Sequence, residues 1–113
     1  MATERDIVYL RHILLAIEKI NEYVSRGGKG LYDKDTAIQD AIIKQIEIVG
    51  EASRKISKEF KGNHSEIPWR LVSGMRDKLV HDYMGVDLEA VWKTAVEDIP
   101  ELERIVEEVI ESY

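Results

Sequence analysis

The sequence predicts an all-α protein, an antiparallel up-and-down bundle of four to five helices in one domain spanning residues 1–113. Three observations carry that expectation. Apolar residues recur at spacings of three, four and seven along most of the chain. Alternating strand patterns are missing, and the breaks between periodic segments are short and rich in Gly, Asn, Asp or Pro. At 113 residues the chain suffices for one core.

The first predicted helix runs from about Thr3 to Arg26, with Ile7, Leu10, Leu14, Ile17 and Val24 on one stripe. Thr3 and Asp6 are expected to cap its start, and Gly27, Gly28 and Gly30 to end it. The linker "VSRGGKGLYDKD" reads as the most flexible stretch. A second helix is expected over about Lys34 to Lys61, with Ile38, Ile42, Ile46, Val49, Ala52, Ile56 and Phe60 inward. Unbroken, it would be roughly 40 Å long. Gly50 inside it costs about 1 kcal/mol against alanine and suggests close approach of another helix. The third helix follows Pro68 and buries Trp69, Val72, Met75 and Leu79 before stopping at Gly85. The fourth starts at Asp87 as N-cap and lines up Leu88, Val91, Ala95, Ile99, Leu102, Val106 and Val109. Pro100 should kink or split it, because proline removes a backbone donor and clashes with the preceding turn.

Composition limits the function. The apolar fraction is 44% and the charged fraction 34%, as in ordinary globular proteins. Without cysteine there is no disulfide, thiolate nucleophile or Cys-based metal site. No apolar run approaches the roughly 20 residues that span a bilayer. The opening "MATERDIVYL" lacks the pattern of a signal peptide, so a cytoplasmic location with no membrane partner is expected. A net charge of −6 argues against broad coating of nucleic acid, and no DNA binding is expected, but a local basic cleft is compatible with it.

Chemistry concentrates in "MRDKLVHDYMG", residues 75–85. Arg76 and Tyr83, seven apart, fall within about 20° on a helix, whereas Arg76 and His81 are roughly 140° apart. Asp77 and His81, four apart, can touch. A guanidinium binds phosphate oxygens bidentately, and an imidazole exchanges protons near neutrality. Such a pair suits cleavage of RNA, where the 2′-hydroxyl is the internal nucleophile and only acid–base groups and charge stabilisation are required. On spacing alone, a solvated helix face with ion pairs accounts for the same residues. His12 reads as a boundary residue and His64, in "GNHSE", as solvated. Neither a metal-ligand set nor a phosphate loop is recognisable: Asp77 with His81, or Glu47 with Glu51, makes only a pair, and "RGGKG" lacks P-loop spacing. No cofactor is expected.

The run "MRDKLVHDY" fits R-x4-H-x-Y, the motif of the HepT-type toxins of the HEPN superfamily. "YLRHILLAIEKI", "IEIVGEASRKIS" and the stretch from Ile67 to Leu102 also resemble that family, in order and at its separations. The resemblance implies a helical homodimer whose motif Arg and His, here Arg76 and His81, form the catalytic pair of a metal-independent endoribonuclease in a cleft between subunits. It implies a toxin neutralised by an MNT-type nucleotidyltransferase antitoxin that transfers AMP to the motif tyrosine, here Tyr83. AMP groups there would place negative phosphates beside Arg76. Asp77 and Lys78 are auxiliary candidates, and Lys44 and Arg70 could extend a basic cleft. Many relatives carry arginine where this chain has Lys44 or Gln45. A non-catalytic HEPN-like module that binds a nucleotidyltransferase and nucleotide is the alternative.

Overall fold

The computed structural model describes residues 2–79 and 85–113, the side chains of Ala2 and Lys78 excepted. The described chain is an all-α bundle of 45 × 29 × 19 Å. Helix α1 (Ala2–Ser25) lies along α3 (Thr36–Arg54), and their buried faces supply Leu10, Ile13, Ile17 and Ile20 opposite Ile42, Ile46 and Val49. Asp35 caps α3 by accepting from the Ala37 and Ile38 amides. Helices α5 (Trp69–Ser73) and α6 (Met75–Leu79) pack on α3 through Val72, Met75 and Leu79. The C-terminal helix α8 (Ile99–Glu111) closes the bundle against α1 with Leu102, Val106 and Val109 buried.

The glycine linker is more structured than its composition suggests. Gly28 takes φ 61 and starts a short helix, α2 (Gly28–Tyr32). Tyr32 is buried against Trp92, with ring centroids 4.9 Å apart. Its hydroxyl donates to the Leu88 carbonyl at 2.7 Å, while Gln39 Nε2 donates to the Tyr32 carbonyl at 2.8 Å. Burial, with Glu89 adding to it, pushes the Tyr32 hydroxyl up to about 12.

The expected 40 Å helix is divided. α3 ends at Arg54 and a new helix, α4 (Lys58–Asn63), starts after Ser57. Ser57 is a good N-cap, and its Oγ accepts from the Phe60 amide at 3.1 Å. Asp6 reaches across from α1 and accepts from both Ser57 N and Ser57 Oγ at 2.8 Å. Asp6 is only 3% exposed and anchors this break rather than capping α1. Ile56 and Phe60 stay buried on either side, so the apolar stripe persists where the helix does not.

The third segment is also divided, at Gly74, whose amide closes the end of α5 on the Arg70 carbonyl at 3.1 Å. Asp87 caps α7 (Leu88–Lys93) as expected, accepting from the Ala90 amide at 3.0 Å. The last helical segment is built in pieces, and the join is a π-helical turn, Thr94–Asp98. The Ile99 amide donates to the Thr94 carbonyl five residues back. Pro100 follows at the start of α8, where its missing amide costs least.

Candidate active site

Arg76 projects from α6, and the joint that positions α6 is densely bonded. Helix α5 packs on α3 at Gly50, where a Cβ would lie at ordinary contact distance, 3.6 Å from the Val72 carbonyl oxygen and 3.7 Å from that of Ser73. Ser53 Oγ donates to the Gly50 carbonyl at 2.9 Å and meets Ser73 Oγ at 2.9 Å. Arg54 donates through Nη2 to the Ser73 carbonyl at 2.8 Å and through Nη1 to Glu51 at 2.8 Å. These bonds fix the end of α5, two residues before Met75, whose buried side chain anchors the start of α6. The Asp87 amide donates to the Leu79 carbonyl at 2.8 Å and secures the other end of α6.

The Arg76 guanidinium is half exposed. Its Nε lies 3.7 Å from Glu47 Oε2, and its Nη1 is 4.0 Å from Asp77 Oδ1. Both are long, partly solvated pairs, each worth at most about 1 kcal/mol. Among the described residues the guanidinium therefore has only these two loose partners, which leaves it able to take an anion bidentately.

His81 and Tyr83 lie outside the described residues, as does the side chain of Lys78. Of the expected site residues, the structure brings Arg76 and Asp77 together. Lys44 and Arg70 are exposed on α3 and α5. Arg54 and the pair Ser53 and Ser73 were not expected near the site. Glu47, considered only as half of a metal pair, is the acidic neighbour of Arg76. Glu47, Glu51 and Arg54 fall at i, i+4 and i+7 of α3, a spacing that could have placed them on one flank.

Two histidines lie elsewhere. His12 is exposed on α1 and meets the edge of Tyr9, with centroids 5.7 Å apart. His64, expected in solvent, packs against Phe60 with centroids 4.4 Å apart. Its Nε2 hydrogen-bonds the Tyr113 hydroxyl, and its side chain is 14% exposed. Among the described residues no group of three His, Cys, Asp or Glu side chains is arranged to hold a metal ion, and no helix is long and apolar enough to cross a membrane.

Comparison with known proteins places this geometry in context. The family described as ribonuclease HepT-like matches residues 13–109. A protein of Caldanaerobacter subterraneus subsp. tengcongensis, named as a candidate RNase, is 41% identical over 103 residues, covering 91% of this chain and 92% of its own. One from Thermococcus cleftensis, named as a candidate ribonuclease HepT, is 48% identical over 94 residues, covering 83% and 86%. A third, from Methanocaldococcus jannaschii and also named as a candidate RNase, is 37% identical over 108 residues, covering 95% and 93%. No solved structure matches the chain. With its helical bundle, its half-exposed motif arginine and relatives that match nearly end to end, the chain belongs to the ribonuclease HepT-like family of the HEPN superfamily.

Proposed function

We propose that the protein is a metal-independent endoribonuclease that acts as the toxin of a toxin–antitoxin pair. The observation that carries this reading is the family match across residues 13–109, which includes the whole R-x4-H-x-Y motif. The half-exposed, loosely paired Arg76 supports it, because a phosphate needs a guanidinium with donors to spare.

In this mechanism His81 accepts the proton of the substrate 2′-hydroxyl as its oxygen attacks the adjacent phosphorus. Arg76 hydrogen-bonds the phosphoryl oxygens and stabilises their growing charge. The bond from phosphorus to the 5′-oxygen breaks, and that oxygen takes a proton from imidazolium. The products carry a 2′,3′-cyclic phosphate and a free 5′-hydroxyl. A homodimer with the motifs facing one cleft supplies two arginines and two histidines, so the pair need not come from one helix face. The partner in this reading is an MNT-type nucleotidyltransferase antitoxin that transfers AMP from ATP to the Tyr83 hydroxyl, which loses its proton as pyrophosphate leaves. The added phosphates would then occupy the anion site of Arg76.

Purified protein should cleave single-stranded RNA in EDTA and leave cyclic phosphate ends, and His81→Ala should abolish cleavage. Activity that survives His81→Ala would sink the assignment. Tight binding of the nucleotidyltransferase with no cleavage by unmodified protein would favour the non-catalytic module instead.

A further inference from the structure

A groove of about 280 Å³ runs between α1 and α3, and Arg76 does not line it. Its walls carry Tyr9, His12 and Lys19 from α1, and Gln45 and Lys55 from α3 and just beyond its end. Ala16 and Ala52 form an apolar floor. Three features separate it from an ordinary crevice.

The first is charge. In a protein of net charge −6, Arg5, Lys19 and Lys55 have no carboxylate partner among the described residues. Arg5 and Lys55 instead lie over the Tyr9 ring at 5.9 and 5.8 Å, near the outer limit of a cation–π contact. Either can turn to a phosphate without losing a tight partner. The one acid on the groove, Glu51, is held by Arg54.

The second feature is Gln45. It is nine-tenths buried, lines the groove, and its amide makes no hydrogen bond among the described residues. No amide atom of Gln45 is sealed from solvent without a partner, so its donor and acceptor stay within reach of a ligand. The third is Tyr9, a half-buried aromatic ring on the groove wall. An aromatic face, an unused amide and unpaired cations are what an unpaired nucleotide requires: a stacking platform, an edge reader and phosphate contacts.

We infer that the groove between α1 and α3 is a binding subsite for one unpaired nucleotide of a single-stranded RNA. The base lies along Tyr9 over Ala16 and Ala52, the Gln45 amide reads its edge, and Lys19 and Lys55 hold the flanking phosphates. Position favours the same strand reaching Arg76. Glu51 borders the groove, and Glu47, one turn earlier on α3, contacts Arg76, so the two sites lie on adjoining flanks of one helix. The subsite rests on the ribonuclease reading for its ligand and would contribute substrate selection.

The test is fluorescence anisotropy of the full-length protein with a labelled 2′-O-methyl oligoribonucleotide, which cannot supply the internal nucleophile and so reports binding alone. Tyr9→Leu should weaken binding about tenfold. The double variant Lys19→Gln, Lys55→Gln should reduce the slope of log K against log salt by about 1.4. Gln45→Leu should alter the preference among homopolymers. Should Tyr9→Leu fail to fold by circular dichroism, the exposed lysine pair decides the matter. Unchanged affinity and salt slope would overturn the subsite. So would sedimentation showing that Tyr9→Leu separates subunits, which would make the groove a protein interface. Cleavage of unmodified RNA is measured separately. Cleavage with variant-insensitive binding rejects the groove and keeps the ribonuclease; Tyr9-dependent binding without cleavage does the reverse.

Discussion

Arg76 Nε and Glu47 Oε2 face each other at 3.7 Å across the joint between α6 and α3, with both side chains partly in solvent. A carboxylate in that position orients the guanidinium and also competes with any incoming phosphate. Glu47→Gln removes the competing charge at a stability cost of no more than about 1 kcal/mol, because exposed pairs contribute little. RNA affinity should rise roughly two- to fivefold at low salt, and the gain should shrink as ionic strength increases. Anisotropy titrations at two salt concentrations would check this. A loss of affinity would mean that Glu47 orients Arg76 more than it shields it.

Asp6 and Ser57 hold the break between α3 and α4. Replacing Asp6 with Ala removes two hydrogen bonds to a buried carboxylate. Hydrogen bonds to charged groups contribute about 1.5–3 kcal/mol each, though the two are not additive. Asp6→Ala should therefore lower stability by about 2–4 kcal/mol in urea unfolding, and Asp6→Asn by less, since one acceptor survives.

Gly50 is tight but not closed to every side chain. The distances of 3.6 and 3.7 Å to the Val72 and Ser73 carbonyl oxygens are ordinary contacts for a methyl group. Alanine should fit and recover up to about 1 kcal/mol of helix propensity. Leucine should force α5 away and destabilise by about 1–3 kcal/mol. Thermal melts of Gly50→Ala and Gly50→Leu against the parent should move in opposite directions.

Tyr32 gives a signature at high pH. Its hydroxyl is held up to about 12 in the folded protein, mainly by burial, against about 10 when unfolded. The folded state thus favours the protonated form. The contribution is fully present below pH 10 and is lost as pH rises through 12. Tyr32→Phe should flatten the fall in stability across that window relative to the parent. At neutral pH it should cost about 1 kcal/mol for the lost bond to the Leu88 carbonyl.

Residues that declare themselves by period or by a local cap were readable directly. The inward stripe of α3, the Asp87 cap and the division of the last helix near Pro100 follow from 3.6-residue spacing and proline chemistry. The break at Ser57 was hidden because Ile56 and Phe60 keep the apolar rhythm while Asp6, 51 residues away, stabilises the interruption. The short helix α2 was hidden for a similar reason: Tyr32 finds its partners in Trp92 and the Leu88 carbonyl, and glycine-rich composition masks that tertiary anchoring. His64 looked solvated because nothing local shows that Tyr113 packs beside Phe60 and over it. The motif singles out Arg76 in the sequence, but its acidic neighbour Glu47 depends on how α6 docks on α3.

The hydrogen bond from the Asp87 amide to the Leu79 carbonyl has an evolutionary consequence. That bond ties Leu79 to Asp87, so the scaffold sets the separation of these two ends whatever the length of the segment between them. Closure entropy changes by only about 0.6 kcal/mol for each doubling of such a segment. Lineages could therefore lengthen, shorten or recode it at little cost to the scaffold. New spacings between the arginine and the histidine would be open to drift and selection while the fold stays the same.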